Sequence, residues 1–120
     1  MARFTNKVSV VTGAGSGIGR EMALRLASEG SAVLCADIDE QGAQATAARV
    51  EELGAKSIGL GLDVTDSEAL KASLERAVKD LGGLHVLMNN AGVGSGHGWD
   101  RTTEVNLSGV YYGLIHAAPM

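Results

Sequence analysis

The sequence predicts an α/β protein with a doubly wound parallel sheet, and three observations carry this prediction. Short β-branched runs alternate with stretches of helical periodicity, which is typical of a parallel sheet covered by helices on both faces. Four glycines fall within TGAGSGIG, from Thr12 to Gly19, which indicates a turn because glycine is unfavourable inside helices and strands. Right-handed crossovers between successive strands then predict four strands in the order 3-2-1-4.

The first half of the chain is expected to form two strand–helix pairs. The β-branched run KVSVVT (7–12) predicts strand one, and residues 17–29 place apolar side chains on one helical face and charged ones on the other. Gly30 is expected to end that helix. The apolar run SAVLCA (31–36) predicts strand two, and a helix of small residues follows over 40–53.

The same alternation continues in the second half of the chain. Residues 57–62 predict strand three, and Thr65 with Glu68 can form a capping box for a helix that runs to about Leu81. The run LHVLMN (84–89) predicts strand four. In the order 3-2-1-4 this strand is an edge, although its apolar sequence reads as one buried on both faces.

The last predicted features are a glycine loop over 92–98 and an apolar helix over 101–118, stopped by Pro119. Residues 1–120 fit one domain, which is expected to be incomplete because it ends before a fifth strand. An apolar edge strand and an apolar last helix attract other chains. We therefore expect a homo-oligomer, or association, through strand four and this helix.

Composition excludes several classes of function. The net charge is −4 and the basic residues are scattered, which argues against nucleic-acid and membrane-surface partners. Cys35 is the single cysteine, so disulfides and cysteine metal clusters are excluded, and the three histidines lack metal-ligand spacing. With neither a signal peptide nor a membrane-spanning stretch evident, a cytoplasmic location is expected.

The glycine-rich turn is the first candidate for binding. It joins strand one to helix one, where helix amides and the helix dipole favour an anion. The strict GxGxxG pattern fails because Ile18 occupies its last glycine position, but TGxxxGxG is present. A dinucleotide site is therefore predicted at Gly13, Ser16, Gly17, Ile18 and Gly19, while a purely structural tight turn also fits the pattern.

Asp37 is the second candidate. It ends strand two at about the spacing expected of an acid that binds the adenosine ribose. Its charge repels a 2′-phosphate, and neither Ser16 nor Ile38 offers the basic group that would bind one. The sequence therefore favours NAD over NADP. Alternatively Asp37 caps the next helix, although Asp39 is the better candidate for that cap.

Together, these motifs resemble the N-terminal half of the short-chain dehydrogenase/reductase family. The resemblance rests on five motifs in order: TGAGSGIG, Asp37, Asp63-Val64, NNAG (89–92) and VNL (105–107). It implies the Rossmann arrangement, with Asp63 and Val64 against the adenine.

The same resemblance extends to the later motifs. It implies that Asn90, Ala91 and Gly92 lie beside the adenosine ribose, and that Asn106 belongs to the active site as support for a water relay. Without the resemblance, a simple strand-end turn explains the asparagines of NNAG, and Asn106 fits a helix surface.

The sequence also departs from the family pattern. Catalytic members carry Tyr-x-x-x-Lys, whereas Ile115 and His116 stand four residues after Tyr111 and Tyr112, and the last lysine is Lys79. The glycine loop over 92–98 also looks shorter than in relatives. The isolated chain is therefore expected to be inactive.

Three functions remain open at this point. The first is an NAD-dependent oxidoreductase of the family, represented by its cofactor-binding half. The second is a non-catalytic dinucleotide-binding module, alone or with a partner chain. The third is a methyltransferase, which the NNAG and VNL motifs disfavour.

Overall fold

The structure is a computed structural model, and it describes residues 4–90. The predicted glycine loop (92–98) and last helix (101–118) lie outside the described residues. The helices and strands follow the predicted alternation: β1 Val8–Thr12, α1 Gly17–Ser28, β2 Ala32–Asp37, α2 Glu40–Glu52, β3 Ser57–Gly61, α3 Ser67–Arg76 and β4 Val86–Met88.

The four strands form one parallel sheet in the order β3-β2-β1-β4. The predicted fold class and strand order are therefore confirmed. Strand β1 is central and pairs with β2 through five residue pairs, from Val8↔Ala32 to Thr12↔Ala36. Strand β4 is an outer strand of the described sheet, and its three residues are only half-buried.

Two hydrophobic clusters cover the two faces of the sheet. Because side chains alternate along a strand, Val10 packs in a cluster that includes Leu70 and Leu74 of α3, whereas Val11 packs in a cluster that includes Ala23 of α1 and Val50 of α2. The central strands are thus covered on both sides. This burial fixes the positions of the strand ends.

Cys35 lies within the second of these clusters, in the middle of β2. Its side chain is fully buried, and desolvation raises the pKa of the Cys35 thiol to about 11 despite a contact with the Ser57 hydroxyl. A buried thiol held in its neutral form is a small core residue.

Two predicted helix boundaries agree with the structure. Gly30 follows α1 with a φ of 99°, in the left-handed region that suits a glycine at a helix end. The Asp39 carboxylate accepts a hydrogen bond from the Gly42 N–H at 3.1 Å and caps α2. The expectation that Asp39 rather than Asp37 caps this helix is therefore confirmed.

The capping box predicted for Thr65 and Glu68 is wrong. Asp66 is the N-cap of α3, and its carboxylate accepts from the Ala69 N–H at 3.1 Å. The Thr65 hydroxyl instead donates to Asp63 Oδ1 at 2.6 Å. A π-helical turn at Ala77–Leu81 continues the chain after α3.

Candidate functional site

The four strand ends bring the predicted binding residues to one edge of the sheet. Because the strands are parallel, their carboxyl ends meet there. The glycine turn follows β1, Asp37 ends β2, Asp63 and Val64 follow β3, and Asn90 follows β4. In doubly wound sheets this edge, where the strand order reverses, is where ligands bind.

The turn after β1 leaves the start of α1 open. Ser16 is the N-cap residue, but its side chain makes no capping hydrogen bond, and the first turn of the helix has no acidic residue. Ser16, Gly17 and Ile18 are exposed, and nothing lies within 4 Å of a Cβ placed at Gly17. The amides and the positive dipole end of α1 are therefore available to an anion.

Gly19 is required for close packing. A Cβ at this position would overlap the Gly13 carbonyl oxygen and lie 2.8 Å from Asn90 Nδ2. Real Cβ atoms do not approach other atoms so closely. The last glycine of the TGxxxGxG pattern therefore lets α1 approach the ends of β1 and β4.

Asp37 holds the glycine turn. Its Oδ2 accepts a hydrogen bond from the Gly15 N–H at 2.7 Å, and its Oδ1 accepts from the Asp39 N–H at 2.9 Å. A Cβ at Gly15 would lie 2.8 Å from Oδ2, so a side chain at this position would displace the Asp37 carboxylate from its hydrogen bond. The remaining lone pairs of the carboxylate can accept further hydrogen bonds.

Sequence reasoning missed Arg20 and Thr46. Arg20 Nη2 donates to the Gly15 carbonyl at 2.6 Å, and Arg20 Nε donates to Thr46 Oγ1 at 2.9 Å. The Thr46 hydroxyl lies 2.7 Å from the Ala14 carbonyl oxygen. The sequence placed Arg20 on the charged side of α1 and Thr46 in a helix of small residues. No local pattern identifies either as a partner of the turn.

The loops after β3 and β4 complete the edge. Asp63 Oδ1 accepts from both the Thr65 N–H and the Thr65 hydroxyl, at 3.0 and 2.6 Å. The Val64 side chain is buried in the core, so any ligand contact at this position falls to its main chain. The Asn90 N–H donates to Thr12 Oγ1 at 3.1 Å and links the end of β4 to the end of β1.

Not all residues of the predicted site belong to the described part of the chain. Ala91, Gly92 and Asn106 lie outside the described residues, as do Tyr111 and Tyr112. The Ile38 side chain, directly after Asp37, is 65% exposed and carries no charge.

His85 has a structural contact: its Nδ1 accepts a hydrogen bond from the Val8 N–H at 2.9 Å.

Within residues 4–90, no group of three His, Cys, Asp or Glu side chains is placed to hold a metal ion. A search of the described helices finds none that is both long and apolar enough to cross a membrane.

The arrangement suits a ligand that carries both an anionic group and hydroxyl groups. The start of α1 offers main-chain donors to an anion such as a diphosphate, and Asp37 offers a carboxylate to hydroxyl groups. A nucleotide with a diphosphate and a ribose carries both groups.

Comparisons with known proteins point in the same direction. Residues 7–120 match the family described as short chain dehydrogenase. The chain is 38% identical to a cyclohexanol dehydrogenase from Acinetobacter sp. (strain SE19), covering 98% of this chain and 50% of that protein. It is 33% identical to a 2,5-dichloro-2,5-cyclohexadiene-1,4-diol dehydrogenase from Sphingobium indicum, with the same coverage of 98% and 50%.

A solved structure has the same fold. The crystal structure of a short chain dehydrogenase/reductase from Burkholderia phymatum in complex with NAD matches with a TM-score of 0.89 and 36% identity. The match covers 99% of this chain and 45% of that chain. The chain thus spans about half the length of these relatives.

Proposed function

Because the chain belongs to the short-chain dehydrogenase family, we propose that it is the dinucleotide-binding part of an NAD-dependent oxidoreductase. Such an enzyme transfers hydride between nicotinamide and an alcohol or carbonyl substrate. The names of two relatives, both dehydrogenases of cyclic alcohols, and the NAD complex of the solved structure support this proposal.

The observation that carries the proposal is the open start of α1 beside a fixed carboxylate. Gly13, Ser16, Gly17, Ile18 and Gly19 form the turn whose amides would hold the diphosphate. The turn is already shaped for this role, because Asp37 holds the Gly15 amide.

Asp37 also underlies the proposed preference for NAD over NADP. Its carboxylate would accept hydrogen bonds from the ribose hydroxyls and repel a 2′-phosphate. Ser16 and Ile38 are exposed and uncharged. Arg20, the cation that reaches this turn, donates to Gly15 and Thr46. The basic group nearest the turn is therefore engaged with main-chain and hydroxyl oxygens on the α2 side.

The remaining assignments follow the family pattern. Asp63 and the main chain of Val64 would lie against the adenine, and Asn90, Ala91 and Gly92 beside the adenosine ribose. Asn106 would belong to the active site. The nicotinamide supplies the hydride acceptor or donor when bound, and the chain's own residues bind and orient the dinucleotide.

Calorimetry with NAD and NADP tests the cofactor proposal. We expect wild type to bind NAD more tightly, and Asp37→Ser to weaken NAD binding about tenfold or more, because a hydrogen bond to a charged group contributes about 1.5–3 kcal/mol. The preference for NAD over NADP should fall in this variant, because the charge that repels the 2′-phosphate is removed. Glu51→Gln removes one negative charge from the exposed C-terminal part of α2 and should leave both affinities unchanged. Equal affinity of wild type for both nucleotides would contradict the proposal.

A non-catalytic dinucleotide-binding module is the second candidate. It is favoured by the absence of lysine four residues after Tyr111 or Tyr112, because a positioned proton donor contributes roughly 10²–10⁴-fold to the rate. Nicotinamide absorbance with a panel of alcohols and ketones tests whether the 120-residue chain has any activity of its own. We expect no turnover by the purified 120-residue chain. Turnover that survives Asn106→Ala but is lost in Tyr112→Phe or His116→Ala would contradict this expectation.

We also propose self-association and a cytoplasmic location. Strand β4 is an outer strand of the described sheet and is half-buried, and outer strands of this kind can pair with another chain. The last helix, outside the described residues, would add apolar surface. We expect dimers or larger species in light scattering at roughly tens of micromolar, and a clean monomer would count against this association. The cytoplasmic location rests on the single, buried cysteine.

A further inference from the structure

We propose that Arg20 is a positioning residue for the dinucleotide: together with Thr46 it orients the Gly15–Ser16 peptide so that its N–H faces the ligand side of the turn. This inference rests on the proposed dinucleotide function. It concerns a side chain on α1 and a side chain on α2, neither of which belongs to the glycine pattern.

Two successive carbonyls of the turn are held on the α2 side. The Thr46 side chain is fully buried, and its hydroxyl lies 2.7 Å from the Ala14 carbonyl and 3.1 Å from the Gly42 carbonyl. The hydroxyl has a single proton, which the shorter contact assigns to Ala14. Its oxygen also accepts from Arg20 Nε, and Arg20 Nη2 donates to the Gly15 carbonyl. The guanidinium thus joins the turn to α2.

Because the peptide bond is planar and trans, these carbonyl contacts also fix the direction of the next residue's N–H. In such a peptide the C=O of one residue and the N–H of the next point in opposite directions, and the described chain has no cis peptide bond. Holding the Ala14 carbonyl toward Thr46 therefore points the Gly15 N–H the other way, where it donates to Asp37 at 2.7 Å. By the same geometry, holding the Gly15 carbonyl toward Arg20 points the Ser16 N–H away from α2.

The approach of α2 to the turn depends on Gly42. A Cβ at Gly42 would lie 2.8 Å from the Gly15 carbonyl oxygen, so the absence of a side chain lets the helix come this close. Arg20 Nη2 also lies 3.5 Å from the Gly42 carbonyl. The guanidinium therefore has partners both in the glycine turn and in the first helical turn of α2. A lysine has one ammonium group and cannot reproduce this pair of contacts.

Calorimetric titration of the 120-residue chain with NAD and with ADP-ribose tests the inference. We expect Arg20→Met, Arg20→Lys and Thr46→Val each to weaken both ligands about tenfold, since each loses a hydrogen bond that fixes the turn. Thr46→Ser keeps the hydroxyl and should restore affinity. Arg20→Met combined with Thr46→Val should lose little more than either alone, because the two act as one unit.

Arg25→Met is the matched control. Arg25 lies on the same helix, is 71% exposed and pairs with Glu29 at 3.4 Å, so its loss should leave NAD affinity unchanged. Arg20→Lys separates positioning from charge: wild-type affinity in this variant would mean that the positive charge alone matters and would overturn the inference. Wild-type affinity in Arg20→Met would also overturn it.

Amide NMR spectra without ligand separate this inference from the proposed function. We expect Arg20→Met and Thr46→Val to speed hydrogen exchange at Gly15, relative to Gly54 at the end of α2. If wild type binds no NAD, the proposed function fails. The exchange rates at Gly15 still decide whether Arg20 and Thr46 fix the turn. If Arg20→Met, Arg20→Lys and Thr46→Val all fail to fold by circular dichroism, Arg20 is a structural residue and the inference is wrong.

Discussion

The turn after β1 and the loop after β3 lie at the same edge of the sheet, but their hydrogen bonds join residues at different separations in the sequence. In the turn, Gly15 bonds to Asp37 and Ala14 bonds to Thr46, across 22 and 32 residues of sequence. In the loop after β3, Asp63 accepts from Thr65 two residues away, and Asp66 accepts from Ala69 three residues away.

The difference in range has a physical consequence. Local bonds form within one short segment and need little of the rest of the fold. The bonds that join the glycine turn to Asp37 and Thr46 need β2 and α2 already in place, because these partners lie on those elements. The candidate diphosphate site is therefore preorganised by the tertiary structure. Substitutions around it should alter stability and nucleotide affinity together, whereas loss of the Asp66 cap in the other loop, a residue not proposed to contact the dinucleotide, should alter stability alone.

The largest effect is expected for Gly19→Ala. Its Cβ would overlap the main chain of Gly13, which cannot rotate away as a side chain could. We expect a loss of about 3 kcal/mol in the free energy of unfolding, at the upper end for overpacking, and loss of NAD binding. Urea unfolding and calorimetry measure the two effects.

Gly61→Ala, at the end of β3, is the matched control. The three atoms nearest to a Cβ there belong to the exposed Glu40 side chain, the closest at 3.2 Å, so a shift of that side chain by a few tenths of an ångström accommodates the methyl group. We expect a change within about 0.5 kcal/mol. Equal losses in Gly19→Ala and Gly61→Ala would remove the distinction between the two regions.

A smaller effect is expected for a pair of threonine substitutions. Thr46→Val leaves the buried Ala14 carbonyl without its hydroxyl partner, which should cost about 1–3 kcal/mol of stability. Thr65→Val removes a hydroxyl that bonds to Asp63 in a partly exposed loop. We expect a loss below about 1 kcal/mol there. Urea denaturation of both variants checks the order, and a larger loss in Thr65→Val would reverse it.

The smallest effect is expected for Asp66→Ala. This change removes the N-cap of α3 and should lower the free energy of unfolding by about 1 kcal/mol. Because the cap is local to the loop after β3, NAD affinity should change by less than about twofold. Denaturation and calorimetry on the same preparation test this, and a marked loss of NAD affinity would show that the two regions are coupled.

Local signals in the sequence predicted most of the fold. The alternation of β-branched and amphipathic runs gave the strand order, and the ends of α1 and α2 at Gly30 and Asp39 follow residue preferences of a single segment. The start of α3 was predicted wrongly because two adjacent residues were candidates. Asp63 engages the Thr65 hydroxyl, which leaves Asp66 as the cap.

The glycine turn was recognised from the sequence, but the Arg20 and Thr46 side chains that hydrogen-bond to it were not. Thr46 meets Arg20 and the Ala14 carbonyl only after β2 and α2 are assembled, because it lies 26 and 32 residues from them in sequence. A single sequence contains no spacing that links them. The long-range contacts that shape the candidate site are therefore those that sequence reasoning could not identify.

The most direct test of the central claim is an amide NMR titration of the 120-residue chain with NAD. The claim is that the dinucleotide binds at the glycine turn and at Asp37. We predict that the largest shift changes fall on residues 13–19 and 37–38, with little change at Gly54 and Gly82, which end α2 and the π-helical turn. Largest changes elsewhere in the described part of the chain, or none at saturating NAD, would contradict the claim.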